Sequence, residues 1–301
     1  MVDKRRAAIG VVLVLCVIAL VGFSMGPLLA GLFNPTASES EPSITPTPTA
    51  DTAQLSQLED QARGYEMVLQ REPENETALR GFLQAKFELI RQGRGEVKDV
   101  VEPLRTLSEL NPDEAEYGIL LAQSQEYSGD PEGAAQSYRK ILERQPGQIQ
   151  ALQGLTNLLL SQNRPEAAIG LLEDTLQAAP QANQAQPGSI DETSIQLILG
   201  QVYAQQERYE EAIAIYDEAI KNSSEDFRPV LAKAMILKQQ GNTEEAEPLF
   251  AKATDLAPAG FKDQIQMQAG MTPVPDTYGE SPEGEAGTEG METEGTEPTQ
   301  E

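Results

Sequence analysis

Side chains able to carry proton or nucleophile chemistry are scarce in this sequence. Histidine is absent and Cys16 is the single cysteine, which removes Cys–His and Ser–His nucleophile pairs and the usual zinc ligand sets. Cys16 follows Leu13, Val14 and Leu15. A lipoprotein-type processing site needs small residues there, so Cys16 reads as an apolar side chain facing lipid. Adjacent carboxylates, which could serve as a general acid and base, occur at Glu210-Glu211 and Glu244-Glu245. Each pair opens a helical pattern, where negative charge complements the helix dipole. GRGE at 93–96 lacks the strand and the Lys-Ser/Thr of a phosphate loop. GEAGTEG near the C-terminus is low-complexity, solvated sequence. No set of groups converges on a reaction, so no enzyme, cofactor or metal centre is expected.

The chemistry that remains is recognition by amides and apolar side chains, and helices must position it. Residues 51–270 of the 301 are rich in Ala, Leu, Gln and Glu and poor in β-branched types, which favours helix. The formal charge of −26 argues against nucleic acid as a partner. Part of that charge lies in Asp276–Glu301, which holds nine acidic residues and no basic one. Residues 271–301 are therefore read as a disordered acidic tail.

The other end is built differently. Residues 7–33 carry no charged side chain. At about 1.5 Å per residue that helix exceeds the roughly 30 Å of a hydrocarbon core, so the segment reads as a transmembrane anchor. A cleaved secretory signal is the competing reading, but its apolar region is shorter, and the one passable site is Gly22-Phe23-Ser24. Lys4, Arg5 and Arg6 precede the span, and the next basic residue is Arg63. The positive-inside bias then places residues 1–6 in the cytoplasm and the bulk of the chain in a periplasm or thylakoid lumen. Residues 34–51 form a Pro/Ser/Thr-rich linker, an extended spacer off the membrane surface.

Self-similarity is the strongest signal between linker and tail. Ala134, Tyr138 and Pro146 recur thirty-four residues later as Ala168, Leu172 and Pro180. Ala212 and Tyr216 recur at the same step as Ala246 and Phe250, closed by Pro258. Between these pairs the step is forty-four, so residues 181–190 (QANQAQPGSI) form a ten-residue insert, read as a Gly/Pro-containing loop that splits the array. Each unit reads as two helices: Leu199-Gly200 and Tyr203 on helix A, then Ala212, Tyr216 and Ala219 on helix B. Alanine lets the helices approach, the aromatic fills the space between neighbours, and proline turns the chain into the next unit. Gly129, Asn163 and Gly241 fall in the turn between helices, where a left-handed residue is tolerated.

This pattern resembles the tetratricopeptide-repeat (TPR) family, in which helix A carries Leu-Gly and Tyr and helix B carries Ala, an aromatic residue, a second Ala and a closing Pro. Ordinary helical bundles share the apolar spacing but not this phased set. The resemblance implies an all-α TPR solenoid within 52–270, of about five units at 78–112, 115–146, 149–180, 193–224 and 227–258. With the preceding anchor, the layout is similar to membrane-anchored bacterial TPR proteins, among which are photosystem and envelope assembly factors.

The resemblance also implies that successive A helices line a concave groove for a protein partner. In this register the groove presents Glu116, Ile119, Gln123 and Tyr127, then Gln150, Gln153 and Asn157. It continues with Leu197, Gln201 and Gln205, and then Arg228, Leu231, Met235 and Lys238. The Lys, Asn and Arg clamp with which some TPR proteins hold a terminal carboxylate is missing, which disfavours a ligand ending in an acidic motif. Amides suit an extended backbone or a partner helix, and Leu and Met give adaptable apolar contacts. The expected function is a membrane-tethered scaffold or adaptor assisting assembly, folding or secretion of a membrane complex. The alternative is a self-associating structural membrane protein, for which Gly22 and Gly26 supply a small-xxx-small spacing.

Overall fold

The computed structural model describes residues 50–270, and these contain twelve helices and no strand. The apolar span at 7–33 with Cys16, Gly22 and Gly26, the basic residues before it, the linker up to residue 49 and the tail at 271–301 lie outside the described residues. A first helix, α1 (Ala50–Leu69), precedes five antiparallel pairs. The pairs are α2 (Glu76–Arg91) with α3 (Lys98–Leu110), α4 (Ala115–Tyr127) with α5 (Pro131–Arg144), and α6 (Ile149–Ser161) with α7 (Pro165–Ala185). Then follow α8 (Glu192–Gln205) with α9 (Tyr209–Asn222) and α10 (Phe227–Gln239) with α11 (Thr243–Leu256). A last helix, α12 (Ala259–Ala269), closes the array.

One turn is used five times. Gly93, Gly129, Asn163, Glu207 and Gly241 each have φ between 57° and 86°. After each, the next amide reaches back to the fifth residue before it: Arg94 to Leu89, Asp130 to Gln125, Arg164 to Leu159, Arg208 to Tyr203 and Asn242 to Leu237. This left-handed cap satisfies the orphan carbonyls of every A helix and reverses the chain within a few residues. Glu207 adopts it with φ 59° and no glycine to ease it.

The phased alanines and aromatics form the core, with Ala134, Ala168, Ala212, Ala246, Tyr138, Leu172, Tyr216 and Phe250 all buried. The buried rings of Tyr138 and Tyr216 and the half-buried ring of Tyr65 each need a missing side chain opposite. A Cβ on Gly154 would enter the ring of Tyr138, one on Gly200 the ring of Tyr216, and one on Gly81 the ring of Tyr65. The first and last of these seat a B-type helix on the next A helix, and the second joins helices of one pair.

Pro112, Pro146 and Pro258 lie just beyond a helix end, but Pro180 does not stop α7. That helix runs on to Ala185, so the first half of the insert is helical and only residues 186–190 are loop. Pro180 faces solvent, where a lost backbone bond costs little, while Ala179 is buried and Ala182 packs on the core. Nor does the insert split the array. The central core is continuous from Ile119 on α4 to Ala232 and Ile236 on α10, and it includes Ile190 from the insert. Asn183 ties the loop down, donating to the Ile190 carbonyl at 3.0 Å and accepting from the Ile190 amide at 2.9 Å. The loop presses on Gly147, where a Cβ would strike the Ser189 carbonyl and Ile190.

Two outcomes follow from this geometry. Glu207→Gly relieves a left-handed residue and is expected to raise stability by about 0.5–1 kcal/mol, after the entropy glycine adds to the unfolded chain. Gly241→Ala should lower it by a similar amount, both read as shifts in the urea midpoint. Asn183→Ala strands the Ile190 backbone groups, so amide exchange at Ile190 should accelerate well beyond that of amides in α5. Unchanged exchange there would mean that the insert is a hinge rather than a contact.

Candidate functional site

Which face of the array is concave follows from helix contacts. The A helices α4, α6, α8 and α10 touch one another in order, and the B helices α5, α7, α9 and α11 make no comparable contact among themselves. The A side is therefore the tighter, inner side. The α4 residues Glu116, Gln123 and Tyr127 are spaced along one face, and the structure leaves Glu116 and Tyr127 exposed and Gln123 half-buried. On α6 the corresponding Gln150 and Asn157 are exposed and Gln153 is half-buried. This part of the face is open to a ligand.

Further along the array the face closes. Leu197 and Met235, expected in the groove, are core residues at 1% and 7% exposure, and Ile119 and Leu231 are buried too. Apolar side chains at inner positions turn toward the neighbouring helices and leave water. The whole stretch Thr193–Gly200 of α8 is buried. Gln201 and Gln205 on α8 are half-buried.

Lys238 is exposed but engaged: its Nζ donates to the Gln268 carbonyl at 2.6 Å and lies 5.8 Å from the Phe250 ring centre. It thereby caps the C-terminal end of α12, where a cation is favoured. Phe261 of α12 meets Phe227 of α10 at 5.4 Å between ring centres. Met235 shares that terminal core with Ile265.

Arg228 is held as firmly. Its guanidinium donates to Asp226 at 2.6 Å and to the Ser194 hydroxyl at 3.2 Å. Ser194 in turn bonds Asp191, the N-cap of α8. The hydrogen bond to the Asp226 carboxylate raises the Arg228 pKa, and Arg228 joins the starts of α8 and α10. Arg208 is shared by Glu211 and Glu166 and stacks 4.5 Å from the Tyr203 ring centre.

Two features had no signal in residue spacing. Tyr138 donates its hydroxyl to Glu126 at 2.8 Å across the α4–α5 pair. Burial pushes the Glu126 carboxyl above its ordinary value, with the Tyr138 bond working the other way, and burial also raises the tyrosine. The second is a cleft of about 190 Å³ on the B side, between α3, α4 and α5, lined by Arg105, Lys140 and Arg144. Arg144 meets Asp113 at 3.1 Å and Lys140 meets Glu109 at 3.7 Å, both as exposed pairs. Among the described residues no group of His, Cys, Asp and Glu could hold a metal ion. Among them, too, no helix is long and apolar enough to cross a membrane.

A pH dependence follows. A carboxyl with a raised folded pKa binds more protons folded than unfolded between the two pKa values. Glu126 therefore makes stability fall as pH rises from the ordinary carboxylate range up to its raised pKa, and the loss persists above. Glu126→Gln keeps an acceptor for Tyr138 and removes the charge. The variant should unfold at a higher urea concentration than the parent at about pH 8, the gap narrowing toward about pH 4.

Comparison with known proteins gives matches to parts of this chain. Residues 127–186 and 203–269 match the tetratricopeptide repeat family model. Protein SLOW GREEN 1, chloroplastic, of Arabidopsis thaliana is 27% identical over 195 residues, covering 65% of this chain and 59% of that protein. The chain thus spans about three fifths of that relative's length. Among solved structures, pilF of Pseudomonas aeruginosa is 17% identical with a TM-score of 0.41, covering 64% of this chain and 87% of that one. A thermophilic TPR protein of Thermus thermophilus is 21% identical with a TM-score of 0.40, covering 62% and 95%. TPR proteins are in general non-enzymatic interaction scaffolds, and the part of this chain that matches their family model covers α5 to α7 and α9 to α12.

Proposed function

We propose that this protein is a membrane-tethered adaptor that captures a protein client on the open part of its A-helix face, and assists assembly, folding or secretion of a membrane complex. The observation that carries the reading is the exposed set Tyr127, Gln150 and Asn157 on adjacent A helices, beside half-buried Gln123 and Gln153. Side chains that face solvent are accessible to a partner, and amides can bond an extended backbone. The tether rests on sequence alone: an uncharged stretch at 7–33 after Lys4, Arg5 and Arg6. In that reading the N-terminus is cytoplasmic and the repeats lie on the periplasmic or lumenal side. A photoreactive residue at Gln123 or Gln150 should crosslink a reproducible protein in intact membranes, and one at exposed Glu247 on α11 should not. Equal yields at all three positions, or none, would count against an adaptor working through this face.

A further inference from the structure

The charge layout of the array says what chemistry that face accepts. Residues 50–270 hold 36 acidic and 19 basic side chains, a net of −17 without the C-terminal acidic segment. The 19 cations are unevenly placed. The three consecutive A helices α4, α6 and α8 contain no Lys or Arg, whereas Glu116 and Glu192 lie on them, and Glu126 is turned to Tyr138 of α5.

Several cations elsewhere near this face are engaged, and Arg164, in the turn after α6, is exposed. Arg228, Lys233 and Lys238 of α10 bond Asp226, Asp217 and the Gln268 carbonyl respectively. Arg208, in the turn before α9, is held by Glu211 and Glu166. Arg105, Lys140 and Arg144 line a cleft on the opposite, B side.

We infer that the segment received on the α4–α6 face is positively charged, an extended Lys- or Arg-containing stretch of the client, and that acidic segments are rejected. This rests on the adaptor reading above and adds the partner's chemistry to it. Glu116 is exposed at one end of the α4 stripe and Tyr127, 68% exposed, at the other. An ammonium or guanidinium can pair with the first and lie over the ring of the second. The amides Gln123, Gln150 and Asn157 between them take the backbone. A negative field over the whole body speeds the approach of a cationic segment, and like charge opposes an acidic one.

The test uses the purified full chain and labelled peptides of repeated Lys-Ala-Gln, Ser-Ala-Gln and Glu-Ala-Gln, read by fluorescence anisotropy. The Lys peptide should bind roughly tenfold tighter than the Ser peptide, and the Glu peptide should not bind. Its affinity should drop between about 50 and 300 mM salt. Glu116→Lys and Tyr127→Ala should each weaken it several-fold. Glu247→Lys, which changes the net charge by the same amount as Glu116→Lys on the B side, should leave it nearly unchanged.

Equal binding of the Lys and Glu peptides, an equal loss in the Glu247 control, or no binding of any peptide overturns the inference. Tighter peptide binding after Lys4, Arg5 and Arg6 are replaced by Ser makes the occupant this chain's own N-terminus, and also overturns it. A client crosslinked through Gln123 by a neutral or acidic segment leaves the adaptor standing and removes this inference alone. A cationic peptide bound on this face with no client crosslinked in membranes does the reverse.

Discussion

Close approach of helices at small residues, with an aromatic ring seated in the gap, is the contact on which the array depends. Tyr138 occupies the space left by Gly154, and Tyr216 that left by Gly200. Buried Ala134 and Ala212 lie one turn before those rings on the same helices. Such contacts fix the distance between helices, and a fixed distance repeated along the chain sets how the inner and outer faces differ. The A helices touch one another in order, and the B helices stand further apart. A concave face exists because the small residues and rings alternate in this way.

The recurring left-handed turn sets orientation as packing sets distance. The same backward hydrogen bond follows Gly93, Gly129, Asn163, Glu207 and Gly241. Glycine, asparagine and even glutamate are accepted, because what the turn requires is satisfaction of the last carbonyls of the A helix. A position filled by Glu shows the tertiary arrangement overriding a local cost. The insert behaves similarly. Its composition is that of a loop, yet Ala179 and Ala182 pay for one more helical stretch by burial, and Asn183 closes the remainder onto Ile190.

Openness of the A-helix face is likewise decided by neighbours. In the α4–α6 part, polar side chains face solvent with no helix across from them among the described residues. At α10 the last helix lies close by, Phe261 against Phe227, and Lys238 is spent on capping it. At α8 the face is held by Arg228, reaching from α10 to Ser194. The array is therefore asymmetric along its length, with an adaptable face in one part and a locked, self-capped end in the other.

The thirty-four-residue phase, the helix pairs, the buried Ala–aromatic set and the turn positions at Gly129, Asn163 and Gly241 were all legible in the sequence. They are local and periodic: a missing side chain or a left-handed residue is required wherever the unit recurs. So were the candidate positions Gln123, Tyr127, Gln150 and Asn157, whose place on the inner helices follows from register. Register does not decide burial. Leu197 and Met235 occupy the same register positions as Gln153 and Gln123, yet they are core, because their exposure depends on helices far along the chain and on the drive of apolar groups out of water. The same holds for Pro180 inside α7, for the Glu126–Tyr138 bond and for the Arg228 lock. Each joins residues whose proximity is created by the stacking of repeats, and only the tertiary structure supplies that stacking.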